Sequence, residues 1–368
     1  MKATRGAAAA LAIVLLIGGT LLARRDRSVE RERETETSAV GAASESAAEV
    51  APADAPASSS TAGEARPDPC PAGRTLNMEV IDTIEREGRV ALDPALARSL
   101  LLASQDPEHL AVAALVGRDP ADRVADIVRA MAAGRQNPAV VWTAVQICDG
   151  AGANATCPAK DWEAALLELD GQNSEVWIHV AEARWQRGDI AAALEATQRA
   201  AAAAETRTYW ADTVEMIERA LASTGGYSFP TRAVAAFSFA AANLPLGSVR
   251  INMCKTQSKE SPVWAEACLG YGRLAERRTG NDDGAVIGQT IQIVALEASG
   301  QNASDVIERR DRARRERNDI ANHAGEVFVT TPVQFSEFLT TLREKGERAA
   351  QSLLLEKASI YKACAGEK

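Results

Sequence analysis

The side chains most able to do chemistry are scattered along the chain and are not gathered at catalytic spacings. The histidines His109, His179 and His323 lie far apart, and none has a second histidine or a cysteine at metal-ligand spacing. The sequence contains no GxSxG, HExxH, P-loop or dinucleotide-binding GxGxxG motif. Acidic residues are so frequent that no single pair indicates acid/base catalysis. We therefore predict no catalytic residue, no metal and no cofactor.

The six cysteines form no CxxC motif and fall into three natural pairs. Two pairs bracket short polar stretches, and the third pair stands near the two ends of the expected folded region. The predicted disulfides are Cys148–Cys157, Cys254–Cys268 and Cys70–Cys364. Such bonds require an oxidising compartment. The alternative is six buried free thiols.

An arginine-rich stretch from Asp305 to Asp319 is the sharpest charge feature of the sequence. Most of its acidic residues precede an arginine by four positions, which stabilises an exposed helix. Arg310, Arg314 and Arg317 share one side of that helix and lack acid partners at this spacing. They form a candidate surface for an acidic protein or an anionic cell-wall polymer. The alternatives are a self-paired solvated helix, membrane headgroups and nucleic acid.

Composition favours an all-α protein that does not bind nucleic acid. Alanine is abundant, aromatic residues make up 4% of the chain, and clusters of β-branched residues are rare. The formal net charge of −9 argues against nucleic acid as a partner, because such a protein must neutralise phosphates. Helix starts are visible at Asp93, Asp106 and Asp119, where an aspartate that can cap a helix precedes proline.

The N-terminus predicts a membrane anchor followed by a tether. The apolar run 7–23 lies between basic residues and lacks a small-residue cleavage site, so residues 1–23 are interpreted as an uncleaved signal anchor. A cleaved signal and a soluble helix are the alternatives. Residues 24–69 have no apolar period and are predicted to be a disordered linker, and residues 70–368 an all-α domain.

Two signals disagree about the side of the membrane on which the domain lies. Several arginines directly follow the apolar run, and by the positive-inside rule they place the domain in the cytoplasm. The paired cysteines favour export. We predict a single-pass inner-membrane protein with a periplasmic domain, and a cytoplasm-facing domain is the alternative.

Residues 174–203 contain two amphipathic helical patterns that meet at Gly188-Asp189. Gly188 suits the left-handed conformation that ends a helix, and Asp189 is placed to cap the next one. A hairpin so rich in alanine buries little surface alone and must stack on neighbours.

This hairpin resembles a tetratricopeptide repeat. The matching positions are Trp177, Val180, Ala181, Gly188-Asp189, Ala193 and Ala200. The chain departs from the family pattern at Arg184, Thr197 and Gly171. The resemblance implies a concave groove that holds peptides, lined by Ile178, Glu182, Trp185 and Gln186, and on the following helix by Asp212, Glu215 and Arg219.

The sequence thus predicts an all-α chain of stacked helix-turn-helix repeats, a TPR-like α-solenoid, preceded by one transmembrane helix and a disordered linker. The predicted function is a non-enzymatic, membrane-anchored scaffold that binds an envelope protein or peptide. An all-α cell-wall hydrolase and a structural or regulatory subunit of a membrane complex are the alternatives. The sequence does not define the oligomeric state.

Overall fold

The computed structural model describes residues 92–151, 157–243, 247–278, 282–324, 332–346, 349–353 and 356. Across these ranges the chain folds into α-helices joined by short turns, and the only β-type pairing within them is one isolated bridge between Asn173 and Glu205. The all-α fold class is therefore confirmed for this part of the chain. The predicted anchor, the predicted linker and the Cys70–Cys364 pair lie outside the described residues.

Three helices begin the described chain with the predicted Asp-Pro caps. They are α1 Pro94–Leu102, α2 Pro107–Val116 and α3 Pro120–Gly134. The carboxylates of Asp93, Asp106 and Asp119 each accept a hydrogen bond from the second helical N–H, at 2.8–2.9 Å. Each bond satisfies a backbone donor that has no partner inside its helix.

The later helices of the described ranges follow in order along the chain. They are α4 Pro138–Ala151, α5 Ala159–Asp170, α6 Ser174–Gln186, α7 Ile190–Ala202, α8 Trp210–Ser223, α9 Phe229–Ala242, α10 Ser248–Glu260, α11 Pro262–Arg278, α12 Asp282–Ala298, α13 Ser304–Ala324 and α14 Pro332–Lys345. None of the helices in the described ranges combines the length and apolarity needed to cross a membrane.

Two helix boundaries differ from the prediction. The sequence pattern places no helix between Asn243 and Ser261, but the polar stretch 248–260 forms α10, which buries Met253 and Cys254. Its sequence has no continuous apolar stripe, which is why periodicity missed it. The last helix was expected to extend to Ala363, but α14 ends before Gly346, whose φ of 87° interrupts the helical backbone.

The turn between α6 and α7 matches its prediction. Gly188 has a φ of 81°, in the left-handed region that favours glycine. Its N–H donates to the Trp185 carbonyl at 2.9 Å and closes α6. The Asp189 carboxylate accepts from the Ala192 N–H at 3.2 Å and caps α7.

Buried apolar side chains form two main clusters, and the chain enters the second cluster twice, at α6 and at α10. The first cluster is built from α1 to α5, α8, α9 and α14. The second cluster is built from α6, α7, α10, α11 and α12. Leu167 on α5 contacts both.

Helix packing shows how the two clusters arise. Consecutive helices pack against each other from α1 to α7, and then α8 returns to pack on α2 and α4. Later, α11 packs on α7 and α10 packs on α6. These contacts join helices far apart in the chain, beyond the nearest-neighbour contacts of a simple repeat array.

Candidate functional site

The first part of the predicted groove, on α6, is covered by other helices. Ile178 is fully buried in the second cluster, and Glu182 is buried beneath α10. The expectation that these two side chains face an open groove is thereby corrected. Trp185 is half-buried and packs on the second cluster, and Gln186 is exposed at the end of the helix. The face of α6 expected to meet a ligand instead meets α10 and α11.

A buried charge network replaces the expected groove. The Arg250 guanidinium donates from Nε to Glu182 Oε1 at 2.7 Å and from Nη1 to Glu175 Oε2 at 2.8 Å. The Tyr271 hydroxyl donates to Glu175 Oε1 at 2.8 Å and accepts from Arg250 Nη1 at 2.8 Å. One network thus joins α6, α10 and α11.

Two effects set the pKa values in the network: burial of the side chains, and the contact of two carboxylates with one guanidinium. Burial alone would lower the pKa of Arg250, but Glu182, Tyr271 and Glu175 outweigh it and raise that pKa well above its ordinary value. Burial also raises the pKa of Tyr271 well above its usual range, against the opposing effect of Arg250. The His179 Nδ1 lies 3.7 Å from Glu182 Oε2.

The network has the composition of a catalytic site but not the access of one. The side chains of Arg250, Glu175 and Glu182 are only 5–8% exposed. A catalytic acid or base must come within hydrogen-bond distance of the substrate atom to which it gives a proton or from which it takes one. The hydrogen bonds of Arg250, Glu175 and Tyr271 instead go to other members of the network, which joins the three helices.

The second part of the predicted groove, on α8, does reach solvent. Asp212, Glu215 and Arg219 follow one face of α8 and line a shallow cleft of about 180 Å³. The rest of the lining comes from α2, from the start of α4 and from the approach to α8. These additional residues are Glu108, Asn137, Pro138, Ala139, Arg207, Tyr209 and Met216.

Charged side chains across the cleft are paired. The Arg219 guanidinium donates to Glu108 Oε2 at 2.5 Å, and Asn137 Nδ2 donates to Glu108 Oε1 at 2.9 Å. Arg343, on α14, donates to Asp212 Oδ1 at 3.0 Å and also bonds Glu215. These pairs balance the carboxylates of the cleft, so a strongly charged small ligand gains little electrostatic attraction there.

The approach to α8 is fixed by the fully buried Asn173. Its amide nitrogen donates to the Arg207 carbonyl at 2.8 Å, and its amide oxygen accepts from the Arg207 N–H at 2.9 Å. The same oxygen accepts from the Glu175 N–H and caps α6. Asn173 and Arg207 are 34 residues apart, the period of tetratricopeptide repeats.

Asp170 completes the support of this loop. Its Oδ2 accepts from Asn173 Nδ2 at 2.9 Å, from Arg207 Nη2 at 3.1 Å and from the Tyr209 hydroxyl. Burial, followed by this hydrogen bond, raises the pKa of Tyr209 far above its usual value, so the phenol stays protonated. Arg207 and Tyr209 are thus held rigidly at the edge of the cleft.

The arginine-rich helix α13 is more self-paired than the sequence suggests. The Arg310 side chain, 13% exposed, donates to Oδ1 of its sequence neighbour Asp311 at 3.0 Å, a contact that the four-residue spacing did not predict. Arg314 is half-buried, and the Arg317 side chain lies outside the described atoms. Arg312 pairs with Glu308 at 3.1 Å, as the four-residue spacing predicts.

Arg309 links α13 to α11, although Asp305 precedes it by the four residues at which the sequence predicts an ion pair. It donates to Glu276 Oε1 at 2.8 Å. Burial alone would raise the pKa of Glu276, but hydrogen bonds from Arg309, Gln292 and Gln289 lower it to about 2.

Two of the three predicted cysteine pairs lie at disulfide-bonding distance. The Cα atoms are 5.7 Å apart in Cys148–Cys157 and 5.8 Å apart in Cys254–Cys268. The first pair joins α4 to the segment that leads into α5, and the second joins α10 to α11.

Sequence reasoning missed Arg250 and Tyr271 entirely, and it assigned Glu182 to the surface. One signal was present, because Glu175, His179 and Glu182 form a polar stripe on α6 at spacings of four and three. In the described residues, no group of three His, Cys, Asp or Glu side chains is placed to hold a metal ion. Comparison with models of protein families, with curated proteins and with solved structures found no match.

Proposed function

We propose that this protein is a non-enzymatic scaffold that binds a protein or peptide through the α2/α4/α8 cleft. One observation carries the proposal. Side chains from different, closely packed helices line a single cleft, with Asp212, Glu215 and Arg219 on α8 and Glu108 on α2. Such a surface is preorganised, so a partner meets little ordering cost on the protein side. Polar groups from several helices supply the hydrogen bonds that fix a partner's orientation.

The tetratricopeptide-like repeat is part of the same proposal. Two observations support it for α6 and α7: the Gly188-Asp189 turn, and the 34-residue offset between Asn173 and Arg207. In this interpretation the loop before α8 marks the start of the next repeat. Its helix then turns its polar face toward α2 and forms the cleft, instead of extending a groove along α6.

The proposed location is the cell envelope, with residues 1–23 as an inner-membrane anchor and the domain in the periplasm. The paired cysteines support an oxidising compartment. Thiol labelling of the native protein without reductant tests this location. We expect no labelling at the cysteines of the two described pairs, whereas full labelling would place the domain in a reducing compartment.

A pulldown from crosslinked envelopes tests the binding function. The variant Arg219→Glu reverses a charge in the cleft, at a side chain 57% exposed. Arg199→Glu on α7 is the matched control, because Arg199 is 56% exposed and also pairs with a glutamate. We expect Arg219→Glu to lose a partner that the native protein and Arg199→Glu retain.

Two results would contradict this proposal. If Arg219→Glu, folded by circular dichroism, retains every partner, the cleft is not the recognition surface. If the purified native protein releases soluble fragments from cell-wall material, the alternative of an all-α hydrolase is supported instead.

A further inference from the structure

Helix α14 buries one narrow apolar stripe against the first cluster. Phe335, Phe338 and Leu339 are buried at relative positions i, i+3 and i+4, and Arg343 follows at i+8. The other faces of the helix are open to solvent, with Val333 75% exposed. One narrow apolar stripe ending in a cation is the form of an amphipathic helix that binds a groove.

The surface that receives α14 is an aromatic patch beside two carboxylates. The Phe335 ring meets Phe229 and Phe237 edge-on, with centroids 5.7 Å apart in each case. The Phe338 ring meets Phe237 in the same way at 5.8 Å. Edge-to-face pairs of this kind stabilise an interface beyond the area they bury.

The two carboxylates come from the cleft described above. Arg343 bonds both Asp212 and Glu215, which lie three residues apart on α8. Asp212 and Glu215 are also two of the residues that the sequence predicts to bind a ligand. A helix of the chain itself thus contacts the surface expected to meet a partner.

Attachment of α14 is lighter than that of the helices in the second cluster. Among the described helices α14 contacts α8 and α9 at one edge of the first cluster, whereas α11 packs on α7, α10 and α12. The side chains of Arg343, Asp212 and Glu215 are 27–43% exposed. Ion pairs with this exposure are weak and are screened by salt.

We propose that α14 is an intramolecular ligand of the α8/α9 surface, and that a partner helix with the same stripe displaces it. The partner is an amphipathic helix with large apolar residues at i, i+3 and i+4 and an arginine at i+8. This inference rests on the proposed function, because it names the class of partner for the same side of the molecule. Binding of that partner requires release of α14.

Because α14 is part of the same chain, its release strongly affects the affinity of the surface for a partner. A segment attached to its own binding site has an effective concentration on the order of millimolar. A free peptide with an intrinsic Kd of about 1 μM then binds the native chain about 1000-fold more weakly than a chain whose α14 is unseated. The occupied surface is therefore masked until a stronger partner arrives.

Fluorescence anisotropy with a labelled synthetic peptide of residues 332–346 tests the proposal on the full chain. We expect Phe338→Asp, which unseats α14, to bind this peptide at least about 100-fold more tightly than the native chain. Arg343→Glu, at an exposed position, gives a smaller gain. Adding Asp212→Arg and Glu215→Arg to Phe338→Asp reduces the gain, and the reduction is larger at low salt. Equal affinity of the native and Phe338→Asp chains would overturn the proposal.

Hydrogen exchange of the native chain keeps the test valid if Phe338→Asp does not fold. We expect the amides of α14 to exchange at least about tenfold faster than those of α11 and α12, because α14 opens without global unfolding. Exchange of α14 at the rate of α11 would overturn the inference. If the pulldown finds a partner that Arg219→Glu loses, but the α14 amides exchange as slowly as those of α11, only the inference about α14 fails. If the α14 amides exchange rapidly but the pulldown finds no envelope partner, only the proposed function fails.

Discussion

The two core clusters of this protein are built on different physical principles. The first cluster joins apolar and aromatic side chains, and the ion pairs at its α8 edge, such as Arg219–Glu108 and Arg343–Asp212, are partly exposed. The second cluster is smaller, and it surrounds the buried Arg250 network and the Cys254–Cys268 pair. Helices that bury little apolar surface thus gain order from a buried charge network and a covalent link.

The difference between the clusters indicates which charged residues are free to contact a partner and which hold helices together. A buried charge network holds its helices in one arrangement, because moving one of its members leaves a charge without a partner in a low-dielectric interior. The first cluster has no such constraint at its α8 edge, where the polar residues contact solvent. The charges on α6 therefore have a structural role, and the binding role that we propose falls on the charges on α8.

Replacing Arg250 is expected to give the largest change in the free energy of unfolding, so it is the strongest test of the difference between the two clusters. We expect Arg250→Met to lower the free energy of unfolding by about 3–5 kcal/mol, because Glu175 and Glu182 remain buried without a cation. The matched variant in the first cluster is Arg123→Met. Arg123 donates to the Ala114 carbonyl and to Asn243 Oδ1, which are neutral.

Removal of Arg123 is expected to cost only about 1 kcal/mol, because it leaves uncharged groups behind. Urea unfolding of both variants measures the two values. Equal losses would show that the two clusters do not differ in the way described.

The two cysteine pairs give the next largest effect. Each closes a short loop, so replacing either pair with serines is expected to destabilise the protein by about 3 kcal/mol. The order of reduction separates the clusters. Cys254 and Cys268 are both fully buried, whereas Cys157 is half-buried. Stepwise reduction with mass mapping should open Cys148–Cys157 first, and the reverse order would contradict the described packing.

Asn173 tests the connection between the clusters, since it caps α6 and holds the loop that leads to α8. We expect Asn173→Ala to lower the free energy of unfolding by about 2 kcal/mol, through a lost cap and unpaired backbone groups at Arg207. Thermal unfolding measures the change. An exposed replacement such as Glu195→Ala serves as the control, and a loss no larger than that of the control would argue against the role given to Asn173.

Glu276 gives the smallest effect, on pH dependence. Its pKa is lowered to about 2 in the folded protein, so the ionised form adds stability above the unfolded value of 4.5. That contribution is lost as the pH falls from about 4.5 toward 2. In Glu276→Gln, the free energy of unfolding should fall less steeply over this pH range than in the native protein. Unchanged slopes would show that the bond from Arg309 contributes nothing in solution.

Local signals in the sequence predicted most of the helices and their ends. The caps at Asp93 and Asp189 and the turn at Gly188 depend on neighbouring residues alone, so spacing was enough to find them. The cysteine pairs Cys148–Cys157 and Cys254–Cys268 were also visible, because each closes a short loop.

Long-range packing decided what the sequence could not show. A polar stripe on a helix indicates either solvent or a buried network, and only the position of α10 distinguishes the two for Glu182. The role of Arg250 depends on contacts 68 and 75 residues away in the chain. The cleft was found in part, because Asp212, Glu215 and Arg219 lie on α8, whereas Glu108 comes from a distant helix.

Site-specific photo-crosslinking in intact envelopes tests the assignment of the α8 surface most directly. A photoreactive amino acid replaces Arg219 in the cleft or, as the control, Arg199 on α7, two positions of similar exposure. We predict a discrete adduct with one envelope protein from position 219 and none from position 199. The same adducts at both positions, or no adduct at either one, would contradict the assignment.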